Sequence, residues 1–295
     1  MIVVTAPTGN IGGQVLDRLL AAGAPPVRVI TRNPDRLPAG ARDRVEVVPG
    51  SHGDPDVVGE AFTGADTVFW LVPPDPRATG PEAAYLDFSR PACEAFTARG
   101  VRRVVGISAL GRGTAMAANA GHVTASLAMD DLIAGTGVDY RALTMPSFMD
   151  NLLRQTELIR TQGVFTDPRS GSRKVPTCAV RDIAAVAVDL LLDDGWQGVG
   201  EVPVLGPEDL SFDDMARTMS EVLQRPIRFR QIPGEELTAR LVRSGTSEAM
   251  ARSMLAMVRA KDAGLDNGVT RTPRSSTPTS FRQWCEDVLA PAVLV

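Results

Sequence analysis

Gly9, Asn10, Ile11 and Gly12 stand between a β-branched apolar run, Ile2-Val3-Val4-Thr5, and a stretch patterned as a helix. A glycine turn in that position makes an anion site. Gly9 is expected to take backbone angles closed to other residues, Gly12 to let helix and strand approach closely, and the N–H groups of the helix start to face a phosphate. Arg32 suggests which phosphate. It follows the run Val27-Arg28-Val29-Ile30-Thr31, and no acid occurs before Asp35. After the second strand of a parallel nucleotide-binding sheet an acidic residue holds a ribose 2′-hydroxyl, whereas Arg accommodates a 2′-phosphate. The two features together predict a dinucleotide site that favours NADP over NAD. The turn is a reduced one, because a fingerprint of the form TGxxGxxG would put glycine where Ala6 stands.

The elements that must position these residues alternate. Ile2 to Thr5, Val27 to Thr31, Val45 to Pro49, Thr67 to Val72, Arg103 to Ser108 and Tyr140 to Leu143 read as strands, and 13–22, 55–62, 83–99 and 123–133 as helices. That alternation predicts an α/β fold, a doubly wound, mostly parallel, Rossmann-like sheet covered on both faces. The strand ends at Thr5, Leu71 and Ser108 should then share the edge where ligands bind. After Leu143 the pattern changes. Pro, Gly and polar residues from Pro146 to Thr177 surround a helix-like stretch, Met149 to Arg160; Val180 to Leu192 resumes as an apolar helix, and Val202 to Leu205 reads as a last strand. Ser211, followed by Asp213 and Asp214, is expected to cap a further helix. The reading divides the chain into a dinucleotide-binding domain, 1–146 and 180–206, and a smaller, mostly helical substrate-covering lobe, 147–179 and 207–295. The stretch Thr270 to Ser280, dense in Thr, Ser, Pro and Arg, reads as a bland surface loop.

Composition narrows the classes further. A net charge of −4 with scattered Arg opposes nucleic acid as a partner, since counterion release needs a concentrated positive face. Cys93, Cys178 and Cys285 form no CxxC pair and suit reduced, buried thiols in a cytoplasm. His52 and His122 are the only histidines, too few for a His-based metal site, so no metal is expected. With no signal-like segment and no long apolar run, a soluble, cytoplasmic protein without membrane contact is predicted. Lys174 and Lys261 are the only lysines, which reads as compositional bias.

Five segments carry a family resemblance: Thr5-Ala6-Pro7-Thr8-Gly9-Asn10-Ile11-Gly12, Thr31-Arg32-Asn33-Pro34, Gly135-Thr136-Gly137-Val138, Met145-Pro146-Ser147-Phe148-Met149-Asp150-Asn151 and Leu223-Gln224-Arg225-Pro226-Ile227. Together they resemble the NmrA-like branch of the atypical short-chain dehydrogenase/reductase superfamily over nearly the whole chain. The resemblance implies relatives of two kinds, NAD(P)H-dependent quinone and azo-dye reductases and redox-sensing regulators that bind dinucleotide without turning it over. It also implies roles. Thr8 counts with the cofactor residues, Gly9, Asn10, Ile11 and Gly12 hold the pyrophosphate, Arg32 the 2′-phosphate, and Leu71, Val72 and Pro73 the nicotinamide-side ribose. Ser108 and Ala109 form the floor beside the nicotinamide. Gly50-Ser51-His52-Gly53 stands where the superfamily often has an acid near the adenine. Many short-chain reductases also use a Tyr and, four residues on, a Lys that lowers its pKa. The corresponding positions here are His122 and Ser126, and no Lys occurs between Met1 and Arg173, so the usual dyad is missing.

The missing dyad bears on the acceptor. A reduced ketone becomes a strongly basic alkoxide that needs a general acid, whereas a reduced quinone becomes a delocalised, weakly basic phenolate. The expected reaction is hydride transfer from NADPH to a planar, aromatic or conjugated small molecule, with a non-catalytic redox sensor acting through a protein partner as the rival reading. A third reading is an isomerase or dehydratase with tightly held NADP. His122 titrates near neutrality and is the candidate proton donor; Ser108 can offer its hydroxyl to nicotinamide or substrate. Pro146, Ser147, Phe148 and Met149 are the candidate acceptor pocket, with Trp70 and Met145 as further apolar wall. Asp130 and Asp131 read as solvated helix charges, and a homodimer is left open.

Overall fold

The computed structural model describes residues 1–294. Among them, seven strands make the central sheet: β1 (Ile2–Thr5), β2 (Val27–Thr31), β3 (Glu46–Pro49), β4 (Thr67–Trp70), β5 (Arg103–Ala109), β6 (Asp139–Met145) and β7 (Val199–Pro203). Their spatial order is β7-β6-β5-β4-β1-β2-β3. The pairs β3–β2, β2–β1, β1–β4 and β4–β5 all run parallel. The strand order reverses beside β1, which makes the ends of β1 and β4 the switch point of a doubly wound α/β sheet. The strands β1, β2 and β4 are buried along their whole length and apolar apart from Thr5, Arg28, Thr31 and Thr67, as expected of a sheet covered on both faces. The helix Asn10–Ala21 shows how the cover works, burying Ile11, Val15, Leu16 and Leu19 along one stripe.

The chain falls into two compact units, one of 1–108, 125–144 and 183–202, the other of 109–124, 145–182 and 203–295. In the first, Phe62, Phe69, Trp70, Phe96 and Tyr140 are fully or almost fully buried. Trp70 is core rather than an acceptor wall: it is 0% exposed and its indole N–H donates to Ser89 Oγ at 3.3 Å. The second unit carries a three-stranded sheet of Asp209–Leu210, Val175–Cys178 and Ser147–Phe148, and a parallel pair, Val164–Asp167 with Arg228–Gln231. Ser211 caps the helix Phe212–Val222 as expected. Its hydroxyl accepts from Asp214 N–H while the Asp214 carboxylate accepts from Ser211 N–H.

Three local expectations change. The helix expected at 83–99 is a π-turn, Ala83–Asp87, running into the α-helix Phe88–Arg99. Pro91 has no N–H to return to Asp87, and the widened turn lies directly before it. The last sheet strand spans Val199–Pro203, not 202–205, because Leu205 is committed elsewhere: its N–H donates to Ser275 O at 2.8 Å and its carbonyl accepts from Thr277 N–H at 2.7 Å. Those bonds also show that Thr270 to Ser280 is no bland surface loop. Ser275, Thr277 and Thr279 are buried, and Thr279 donates to Asp182 through both its N–H and its hydroxyl. The three cysteines are free and buried, and burial raises the Cys93 and Cys285 thiols to about 12. Among the described residues no helix is long and apolar enough to cross a membrane, and no cluster of His, Cys, Asp and Glu could hold a metal.

Candidate active site

The turn after β1 is built by contact between backbones. A Cβ on Gly12 would lie 2.2 Å from the Ala6 carbonyl oxygen and 3.0 Å from that of Thr5, so only glycine lets the helix sit this close to the strand. The residue in the left-handed region is Ala6, at φ 50°, whereas Gly9 has φ −89° and ψ 171°. The expectation for Gly9 is therefore corrected. The tight bend falls at Ala6, the position where the longer fingerprint carries glycine, and Ala there stores about 1 kcal/mol of strain. Gly9 closes the bend by donating its N–H to Ala6 O at 3.0 Å. As N-cap it offers no side chain, and the first turn contains no acid, so the positive end of this 12-residue helix is left for an external anion. Thr8 is half-buried, Gly9 and Asn10 are exposed at the mouth, and Ile11 is buried below.

Arg32, just beyond β2, is exposed. The neighbouring acid does not neutralise it: Asp35 is bound by Arg42 at 2.9 Å, and its N–H donates to Asn33, the cap of a short 3₁₀ turn. A cation without a local counterion next to the anion-binding turn suits a phosphate.

Beyond β4, both backbone polar groups of Leu71 are held. Its N–H donates to Thr5 Oγ1 at 2.8 Å and its carbonyl accepts from His52 Nε2 at 3.0 Å. His52, buried against the edges of Trp70 and Phe88, is held neutral, since desolvation lowers its pKa to about 4. Val72 is buried and Pro73 exposed, so the segment Leu71-Val72-Pro73 leaves the sheet on a fixed course. In the sequence His52 stands out as one of two histidines and by its place where an acid is often found. Its actual place, bracing the Leu71 carbonyl, had no sequence signal.

Ser108, near the end of β5, points its hydroxyl at Asp130 Oδ2, a very short contact, while Tyr140 OH on β6 donates to Asp130 Oδ1 at 2.6 Å. Asp130 is 2% exposed. The reading of Asp130 as a solvated charge is corrected; only Asp131 is exposed. Gly106 makes the arrangement possible. A Cβ there would lie 2.3 Å from Tyr140 OH, so the bare backbone of β5 is what the Tyr140 ring lies across.

The second unit supplies the other candidates. His122 is buried, and its ring bonds to the Met250 backbone; desolvation lowers its pKa, and that hydrogen bond opposes the shift. Ser147, Phe148 and Met149 line one cavity of about 70 Å³, with Leu152, Phe165, Phe212 and Met215 completing its apolar walls. Pro146 is buried but is not part of the lining. Arg169, on the same cavity, was missed: it forks onto Asp167 at 2.8 and 3.0 Å, donates to Ser147 Oγ at 3.2 Å and stacks on Phe212 at 4.8 Å. Thr177, 4% exposed, also lines the cavity, and its hydroxyl has no hydrogen-bond partner.

Comparison with known proteins gives the family and several relatives. Residues 7–194 match the family described as NAD(P)H-binding. The chain is 32% identical over 288 residues, 96% of each protein, to a (4-alkanoyl-5-oxo-2,5-dihydrofuran-3-yl)methyl phosphate reductase of Streptomyces griseus. It is 28% identical to an NAD(P)H azoreductase of Xenophilus azovorans, over 86% of this chain and 85% of that one. In fold it is similar to the triphenylmethane reductase of Citrobacter sp. in complex with NADP(H), with a TM-score of 0.79, 20% identity and 99% of both chains covered. An NADPH-dependent quinone oxidoreductase of Escherichia coli complexed with NADPH gives a TM-score of 0.78 at 20% identity, over 100% of this chain and 99% of that one.

Proposed function

Since this chain belongs to the NAD(P)H-binding family, we propose that it is a reductase that draws on NADPH and delivers hydride to a planar, conjugated small molecule. The observation that carries the reading is the contact of Gly12 with the Ala6 carbonyl, which brings an uncapped helix start against the end of β1. A cradle that a single Cβ would fill, next to the unpaired Arg32, fits a dinucleotide bearing a 2′-phosphate. The motifs around Ala6, Arg32 and Pro146 support a place in the NmrA-like branch of the family.

A bound nicotinamide nucleotide supplies the hydride. The chain's own residues do the rest. The N–H groups of the helix start hold the diphosphate, Arg32 discriminates the 2′-phosphate, and the segment Leu71-Val72-Pro73, fixed by Thr5 and His52, flanks the nicotinamide-side ribose. Ser147, Phe148 and Met149, on the cavity they share with Phe165 and Phe212, are the candidate contacts for the apolar part of the acceptor. The charge that forms on a conjugated acceptor is spread over its own π-system, which suits a site without a Tyr/Lys dyad. The two relatives by sequence agree in kind, one named for an unsaturated oxo-dihydrofuran and the other for azo compounds.

The test is steady-state oxidation of NADPH by the purified protein with a panel of quinones, azo dyes and enones. Turnover with at least one of these and none with simple ketones is the expected result. Saturable NADPH binding without turnover on any member of the panel would remove the reductase reading.

A further inference from the structure

Ser108 lies near the end of β5, and its hydroxyl proton has a fixed direction. The cluster behind it decides that. Asp130 offers one carboxylate oxygen to Ser108 and the other to Tyr140, all inside the first unit and all buried. Both hydroxyls donate to Asp130 oxygens, so both hydroxyl protons point at Asp130. The Tyr140 end is fixed because its ring lies over Gly106, two residues before Ser108 on the same face of β5. Ser108 is thereby left with lone pairs alone for any ligand at the edge. It can accept a hydrogen bond and cannot donate one, which removes it as a proton source for the acceptor.

The position along the edge says which ligand group it meets. This step rests on the nucleotide reading above. With the diphosphate at the β1 turn and the 2′-phosphate toward β2 and Arg32, the remaining half of a dinucleotide runs toward β4 and β5, where Leu71 follows β4 and Ser108 is the penultimate residue of β5. In its nicotinamide ring the N–H donor is the carboxamide. We propose that Ser108 accepts a hydrogen bond from the nicotinamide carboxamide N–H, and that Asp130, steadied by Tyr140, is the positioning residue that turns the Ser108 proton inward so that it does so. No bond is broken in this step; Asp130 and Tyr140 act only by orienting a hydroxyl.

The experiment compares binding of NADP⁺ with that of its 3-acetylpyridine analogue, in which a methyl group replaces the carboxamide NH₂, by calorimetric titration of the folded protein. Wild-type protein is expected to bind NADP⁺ about fivefold more tightly, the worth of one neutral hydrogen bond. Ser108→Ala should bring the ratio near one. Asp130→Leu, branched alike at Cγ but without an acceptor, frees Ser108 to turn and donate to the acetyl oxygen, and should also collapse the ratio. Tyr140→Phe, which leaves the Ser108–Asp130 bond in place, should keep it. A structural role for Asp130 would lower stability, and with it the affinity for both ligands alike, and leave the ratio unchanged.

A wild-type protein that binds both ligands equally overturns the proposal, as does a ratio that survives in Ser108→Ala. If Asp130→Leu does not fold, those two measurements still decide. Failure to bind either ligand overturns the nucleotide reading itself, and this inference with it.

Discussion

The turn after β1 and the cluster behind β5 sit on the same sheet edge and are written into the chain in opposite ways. The turn is contiguous: Ala6, Gly9 and Gly12 lie within seven residues, and its critical contact is backbone against backbone. The cluster is assembled from β5, the helix His122–Ala134 and β6, with Ser108 separated from Asp130 by 22 positions and Asp130 from Tyr140 by 10. A contact between backbones tolerates no added atom, whereas a side-chain cluster tolerates replacements that preserve shape and loses only direction. The two regions should therefore fail differently when perturbed.

The largest effect is expected at the turn. Gly12→Val places carbon atoms where the Ala6 carbonyl stands, and nucleotide binding should fall by about 100-fold or more, with stability reduced by about 3 kcal/mol. Calorimetric titration and thermal unfolding check both; wild-type affinity in this variant would break the contrast. Next comes the cluster. Asp130→Leu strands two buried hydroxyls and should cost about 1–3 kcal/mol of stability in urea unfolding while nucleotide binding survives. If it abolished binding as thoroughly as Gly12→Val, the two regions would not differ as argued.

His52 gives a comparable effect with a definite pH window. Its folded pKa, about 4, lies below its usual 6.5, so the unfolded chain takes up a proton that the folded one refuses. Its contribution is undiminished above about pH 6.5 and is lost progressively as the pH falls toward 4, by up to about 3 kcal/mol. Unfolding measured across that range should show a slope that His52→Phe flattens. Arg32→Ala should weaken NADPH about tenfold and NADH less than about twofold; equal losses would remove the 2′-phosphate role. The smallest change is Ala6→Gly, which relieves the left-handed strain and should stabilise the protein by no more than about 0.5 kcal/mol, because glycine also loosens the unfolded chain.

The sheet was legible because β1, β2 and β4 are short apolar runs divided by helical periodicity, a pattern carried by neighbours in the chain. The turn was legible for the same reason, apart from the bend itself, whose left-handed residue is Ala6 where composition pointed to Gly9. Asp130 misled because an Asp-Asp pair in a helix resembles a solvated face, and only the fold puts the first residue of the pair behind Ser108 and the second in solvent. Arg169 and Thr177 were invisible because the cavity they line closes only when strands from 147, 164 and 175 come together with the helix at 212. The loop at 270–280 misled by composition: its hydroxyls are buried on partners far away in the chain, at Leu205 and Asp182.

The backbone cradle at the end of β1 carries the proposed nucleotide site. Titration of the wild-type protein and Gly12→Val with NADPH at neutral pH tests it most directly. Saturable binding by the first and none by a folded Gly12→Val is the predicted result; no saturable binding by the wild type, or equal binding by both, would contradict it.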